Sequence, residues 1–201
     1  MTFLIQVADI ATLQSECIIR WKANGVDFKH SNFLALVEEN HAFNFQLWQA
    51  EDKARREDMG FEFVYRAKRL IDKFNQERNN RMEAMDSWLY ETLKPAPATH
   101  CPVHSETPGM MIDRLSILAL KAYHMHLQTG RLDVEETHRQ NCEQKYQVIL
   151  LQQKQLQHCL QQLIDEVQSK TRSFRVYHQF KMYNDPTLNS ELYAQQPGCA
   201  L

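Results

Sequence analysis

From Met110 to Met125 the chain is apolar almost all the way round a helical wheel. At roughly 100° per residue, Ile112, Leu115, Leu118, Ala119 and Ala122 cover most of the circumference. Thr107-Pro108 stands in front as an N-cap followed by proline at the first helical position, where its missing N–H costs nothing. Asp113, Arg114, Lys121 and His124 interrupt the apolar surface and fall within one arc of roughly 100°. A helix apolar on every side is a central one. Charge inside it is costly unless paired, so the rest of the fold is expected to supply partners for these four groups.

The flanking pattern predicts further helices. Ile10, Leu13, Cys17 or Ile18, and Trp21 recur at helical spacing over residues 9–23, with Asp9 as cap and Gly25 as stop. A second helix is expected over about 31–56, capped by Ser31 or Asn32. Its stripe runs Phe33, Val37, Asn44, Trp48, Glu51 and Arg55, with Asp52 at the edge. The plain reading of Glu51 and Arg55, four residues apart, is a local ion pair. Asp58-Met59-Gly60 breaks the pattern, and a third helix is expected over about 61–93 on Val64, Ile71, Met82, Met85 and Leu89.

Beside that stripe lies a second line of Lys68, Asp72, Asn75, Asn79, Glu83 and Asp86. Asn and Asp are poor helix formers, so their recurrence predicts a compensating interaction; a solvated face with incidental Asn is the alternative. The Pro-rich loop 94–105 links this helix to the central one. After Thr129-Gly130 a long helix is expected over 132–172. Cys142, Tyr146, Ile149, Gln153, Leu156, Leu160, Leu163 and Val167 form its heptad-like seam, which packs either in cis or between two chains as a homo-oligomer. The segment 174–192, FRVYHQFKMYNDPTLNSEL, is expected to dock on the bundle through Tyr177, Phe180 and Tyr183, and residues 193–201 to fray. The expectation is an all-α fold: one domain over 1–201, an antiparallel bundle of about five helices with a docked C-terminal tail.

Composition narrows the function classes. Hydrophobic residues are 43% and charged residues 24% of 201, as in ordinary globular proteins, and Gly 5 with Pro 6 favours long elements. A net charge of -2 points to neither nucleic acid nor an anionic membrane as partner. The basic clusters Lys53, Arg55, Arg56 and Arg66, Lys68, Arg69 sit among acids. No apolar run approaches the ~18 residues of a membrane span. MTFLIQVADI lacks the basic start of a signal peptide. Cys17, Cys101, Cys142, Cys159 and Cys199 are scattered, which fits a reducing compartment and a cytoplasmic location. Cys199-Ala200-Leu201 is one residue short of a prenylation box. His100-Cys101 and His104 lack the second ligand pair of a zinc site and read as incidental loop residues.

Four segments carry a resemblance. They are Asn44, Leu47-Trp48, Glu51-Asp52 and Ala54-Arg55; Ile71-Asp72, Asn75-Gln76 and Arg78-Asn79; Glu106-Thr107-Pro108-Gly109 leading into Asp113-Arg114-Leu115-Ser116-Ile117-Leu118; and Gln179 to Pro186. Over residues 30–192 the chain resembles a bacterial family catalogued as domain of unknown function 4254. The resemblance implies an accessory role in cell-surface glycan synthesis, because such proteins are often encoded beside glycosyltransferases. It implies no catalytic residues.

The residues themselves offer a site. Asn44, Glu51, Asp52 and Arg55, then Asp72, Asn75, Asn79 and Glu83 with Asp86, then Asp113, Arg114, Lys121 and His124 are expected to converge between the helices on a small polar ligand. A phosphorylated sugar or nucleotide suits the mixed lining, with Arg55 and Arg114 forking onto phosphate or carboxylates holding Mg²⁺. An enzyme version is a Mg-dependent nucleotide pyrophosphohydrolase, with Glu51 and Asp52 facing Glu83 and Asp86 and with His124 as general base. Against these stands a scaffold whose charged residues form a buried ion-pair network. The sequence shows no Gly-rich phosphate loop, nucleophile elbow or triad spacing.

Overall fold

The protein is described by a computed structural model over residues 6–193. Five long helices follow one another: α1 (Val7–Asn24), α2 (Asn32–Ala54), α3 (Phe61–Leu93), α4 (Pro108–Thr129) and α5 (Glu136–Gln168). A short α6 (Ser190–Tyr193) and two single 3₁₀ turns, Glu57–Met59 and Met182–Asn184, complete the described elements. Val103 and Ser173 form an isolated parallel bridge. No helix among the described residues is long and apolar enough to cross a membrane.

Local chemistry sets the ends. Gly25 closes α1 at φ 81, a conformation that costs a residue with a Cβ. Lys94, at φ 47 and followed by Pro95, ends α3. Thr107 caps α4 by accepting from the Met110 N–H at 3.2 Å.

Contacts give the directions. Phe33 meets Trp88 and Phe43 meets Phe74, so α2 and α3 run antiparallel. His126 meets Tyr146 in the antiparallel α4–α5 hairpin. Ile10, Cys17, Phe33, Met85, Leu89, Ile112, Leu115, Leu160, Ile164 and Phe174 belong to one core that joins all five long helices. Leu47, Ala50, Ala54, Ala67 and Ile71 form a smaller core in the far half of the α2–α3 hairpin.

The start of α4 is pinned to α3. Asp86, last of the polar line on α3, accepts from Thr107 Oγ1 at 2.5 Å and from the Gly109 N–H at 2.7 Å. Burial pushes this carboxyl up to about 6, against the pull of those two donors. A Cβ on Gly109 would lie 2.7 Å from the Met82 carbonyl oxygen, a backbone atom that yields only if the helices separate. Gly109→Ala is therefore expected to cost about 2 kcal/mol and to lower Tm by roughly 4–8 °C. An unchanged melting curve would refute this close α3–α4 approach.

Four expectations differ from what is seen. The first helix begins at Val7, not 9, with Gln6 at the cap position and Asp9 inside the first turn. The first half of α4 is buried through Leu120, but Lys121, His126 and Leu127 are exposed, so the apolar wheel describes only the end that meets α1, α2 and α3. The long helix begins at Glu136, not 132, and Leu132 is 93% exposed; its seam packs in cis, with Leu156, Leu160, Leu163 and Val167 buried. In the tail, Phe174 is buried while Tyr177, Phe180 and Tyr183 are exposed. The backbone is not helical from 174 to 181, and only Tyr183 lies in the 3₁₀ turn Met182–Asn184, so three-residue spacing gives those rings no shared face. The tail is held by polar contacts instead: Glu83 accepts from the Gln179 N–H at 2.7 Å and lies 3.0 Å from His178 Nδ1, and Asn184 donates to Gln76 at 3.1 Å. Apart from residue 193, the fraying expected of 193–201 and the reading of Cys199 lie outside the described residues.

Candidate functional site

Between the α2–α3 hairpin and α4 a cleft of about 360 Å³ opens. α2 contributes Asn44, Leu47, Trp48, Glu51, Asp52 and Arg55; α3 contributes Asn75 and Arg78; Ile117 and Leu120 of α4 close the back. The α2 residues recur at three- and four-residue spacing and so share one face. Arg55 Nη1 donates to Glu51 Oε2 at 2.6 Å, the local pair expected from their spacing, and the arginine is largely exposed.

Arg78 behaves differently. Its Nε is sealed from solvent and lies 3.7 Å from Asp113 Oδ1, and among the described residues its guanidinium donates no hydrogen bond. Trp48 forms one wall, and the His124 imidazole stacks on it with centroids 4.5 Å apart and planes 5° apart. Beyond Trp48 a second opening of about 510 Å³ is lined by Asp52, Lys121, His124, Met125, Gln128 and Ile149. Burial, helped by the charge of Lys22, holds His124 below its ordinary value; Asp52 opposes both. The ring is therefore neutral at pH 7.

A buried polar network underlies the cleft. Asp113 Oδ1 accepts from Asn40 at 3.0 Å and from Asn44 at 2.8 Å. Asn44 also donates to Ser116 Oγ at 3.0 Å, and His41 Nδ1 lies 2.7 Å from the same hydroxyl. Burial drives His41 down to about 3, so it stays neutral. Ser116 and His41 are bonded as nucleophile and base would be, yet both are fully buried and no substrate reaches them. Their geometry serves the α2–α4 contact.

The structure brings Asn44, Glu51, Asp52, Arg55 and Asn75 together in the first opening, with Lys121 and His124 around Trp48. Asp113 lies beneath, in the network. The other expected site residues stand elsewhere. Arg114 points along the opposite flank of α4, where both Glu106 oxygens hold it at 2.6 and 2.7 Å. It lines a groove of about 670 Å³ with Lys121, His104, Gln152, Gln155 and Cys159. Asp72 is exposed beside Arg69 at 3.3 Å. Asn79 is buried, Glu83 holds the tail, and Asp86 fixes the start of α4.

The facing acids do not meet. The antiparallel pairing of Phe33 with Trp88 and Phe43 with Phe74 sets Glu83 roughly 13–17 residues along α3 from the level of Glu51, or roughly 20–25 Å at about 1.5 Å per residue. No group of three His, Cys, Asp or Glu side chains among the described residues is placed to hold a metal ion.

Of the polar and aromatic residues lining the cleft, Arg78 and Trp48 were absent from the expected set, as were the aliphatic Leu47, Ile117 and Leu120. Trp48 shares the Asn44 stripe, and Arg78 follows Asn75 by three residues on the same face of α3, so helical periodicity carried both signals.

The model of a family described as "Protein of unknown function (DUF4254)" matches residues 34–176, which span every residue lining the cleft. No curated protein and no solved structure matches the chain.

Proposed function

The chain belongs to the DUF4254 family of proteins of unknown function, so its role has to come from its own residues, and we propose that the cleft binds a small phosphorylated ligand, a sugar phosphate or a nucleotide. Arg78 carries this reading. A guanidinium offers five donors in a fixed fork, and here none makes a hydrogen bond to the described residues, the nearest contact being Asp113 Oδ1 at 3.7 Å from Nε. In a half-buried wall such a fork gains most from a bidentate phosphate oxygen pair. Arg55 can exchange Glu51 for a second phosphate oxygen, and Glu51 and Asp52 then accept sugar hydroxyls. The reading is of binding rather than turnover, since the acids required by a magnesium pyrophosphohydrolase are divided between the cleft, the tail and the cap of α4. The biological setting we favour is an accessory role in bacterial surface-glycan synthesis, as the resemblance implies. The free thiols Cys17, Cys101, Cys142 and Cys159 support a reducing, cytoplasmic location.

A second reading has its own observation. The Asp113 network joins α2 to α4 without any ligand, as in a scaffold whose polar residues only fix helix register.

A thermal-shift screen of sugar phosphates and sugar nucleotides, with and without Mg²⁺, separates the two. A ligand at 100 times its Kd adds about 2.7 kcal/mol, a Tm rise of roughly 5–11 °C. Arg78→Gln is expected to fold and to weaken binding about tenfold or more, the loss of a charge-assisted hydrogen bond of about 1.5–3 kcal/mol. A flat screen together with an unfolded Arg78→Gln variant would leave the scaffold reading in place.

A further inference from the structure

Trp48 divides two openings. Arg78, Asn75 and Arg55 lie on one side, His124, Lys121 and Gln128 on the other, and Asp52 borders both. A phosphorylated monosaccharide with its phosphate on Arg78 occupies the first opening alone. It leaves unused the second opening, of about 510 Å³, and the flat wall between them.

That wall already shows what it accepts. The His124 imidazole lies parallel to the indole with centroids 4.5 Å apart, and no hydrogen bond to the described residues fixes the ring there. Its other aromatic contact is edge-on, to Tyr123 at 5.3 Å. The imidazole is thus a flat heteroaromatic ring held on Trp48 by stacking, with no hydrogen bond to a described residue. A ligand ring of the same kind gains the same contact and exchanges His124 for itself. Indole stacking tolerates any base, because every base has a π face.

We propose that the ligand is a nucleoside diphosphate, free or carrying a sugar, with its diphosphate at Arg78 and its base stacked on Trp48 where the His124 ring lies. The inference rests on the reading of the cleft as a phosphate site and adds the ring to it. The opposite orientation is disfavoured, because the guanidinium that donates no hydrogen bond to the described residues is on the Arg78 side. Asp52, at the border, is placed to accept from a ribose hydroxyl or from an exocyclic amino group.

Calorimetric titration with ADP, UDP, inorganic pyrophosphate and glucose phosphate tests it. ADP or UDP is expected to bind at least about tenfold more tightly than pyrophosphate, a difference of about 1.4 kcal/mol. Trp48→Leu should erase that difference and leave pyrophosphate affinity within about twofold, Trp48→Phe should keep most of it, and Arg78→Gln should weaken every probe. His124→Ala, which vacates the stacked position, should leave nucleotide affinity unchanged or raise it, and it decides the matter if Trp48→Leu fails to fold. Equal affinity for pyrophosphate, glucose phosphate and both nucleotides, with Trp48→Leu neutral, overturns the ring and leaves the phosphate site standing. A tenfold loss on His124→Ala also overturns the placement of the base. If no probe binds, both readings fall.

Discussion

Asp113→Ala is expected to lower stability by about 3 kcal/mol and Tm by roughly 6–12 °C, whereas Arg114→Gln, one residue along, changes stability by about 0.5 kcal/mol. Asp113 Oδ1 is the acceptor for both Asn40 and Asn44, and its carboxylate is the nearest opposite charge to Arg78. All three partners are buried or half-buried, so truncation strands donors that water cannot reach. Asp113→Asn keeps an acceptor oxygen for the two amides and should cost about 1 kcal/mol, the loss of the charge beside Arg78 alone. Arg114 pairs with Glu106 in an exposed setting, where ion pairs contribute little. Thermal melts of the three variants check this order. If Asp113→Ala melted like the parent, the network would not be what holds α2 to α4.

The contrast between these neighbours shows where the sequence is legible. The polar arc of the central helix is real, but an arc of roughly 100° is wide enough to face two neighbours. Asp113 and His124 turn to α2, Arg114 turns to the α5 side, and Lys121 borders both the groove beside Arg114 and the second opening. A wheel gives direction from one axis and cannot say which helix waits there. The ends of α3 were readable because Gly60 and the Lys94-Pro95 step act locally. Five of the residues that line the first opening, Asn44, Glu51, Asp52, Arg55 and Asn75, were readable because one periodicity on each helix carries them. Glu38, Asn40 and His41 were not, because α2 buries a second flank besides its apolar stripe, against α1 as well as α4. The tail's anchor, Phe174, was hidden among aromatics that look alike in a segment without helical period.

Glu38→Ala should be equally damaging, and its effect should depend on pH. Glu38 is fully buried. It accepts from Arg20 Nη2 at 2.5 Å and from the backbone N–H groups of Lys29 and His30 at 2.9 and 3.0 Å, with His30 Nδ1 at 3.1 Å. Burial alone would raise this carboxyl, but the two backbone donors, His30 and Arg20 outweigh it and bring it down to about 2 from 4.5. The same surroundings push the Cys17 thiol up to about 12, chiefly through burial, so it remains protonated and donates to Glu38 at 3.6 Å. A shift of that size corresponds to about 3 kcal/mol of stability at pH 7, the lower end of what breaking a buried ion pair costs. Because the folded carboxyl is the more acidic, that contribution is complete above the unfolded value of 4.5 and is lost as pH falls towards 2. The gap between wild type and Glu38→Ala should therefore be widest above pH 5 and reduced to about half by pH 3. Denaturant melts across this range measure it, and a gap that stays constant down to pH 3 would refute the depressed carboxyl. Glu38 fastens the α1–α2 connector and lies outside the cleft, so below its lowered Tm the variant should bind cleft ligands as wild type does, whereas Arg78→Gln should fold and bind them about tenfold or more weakly.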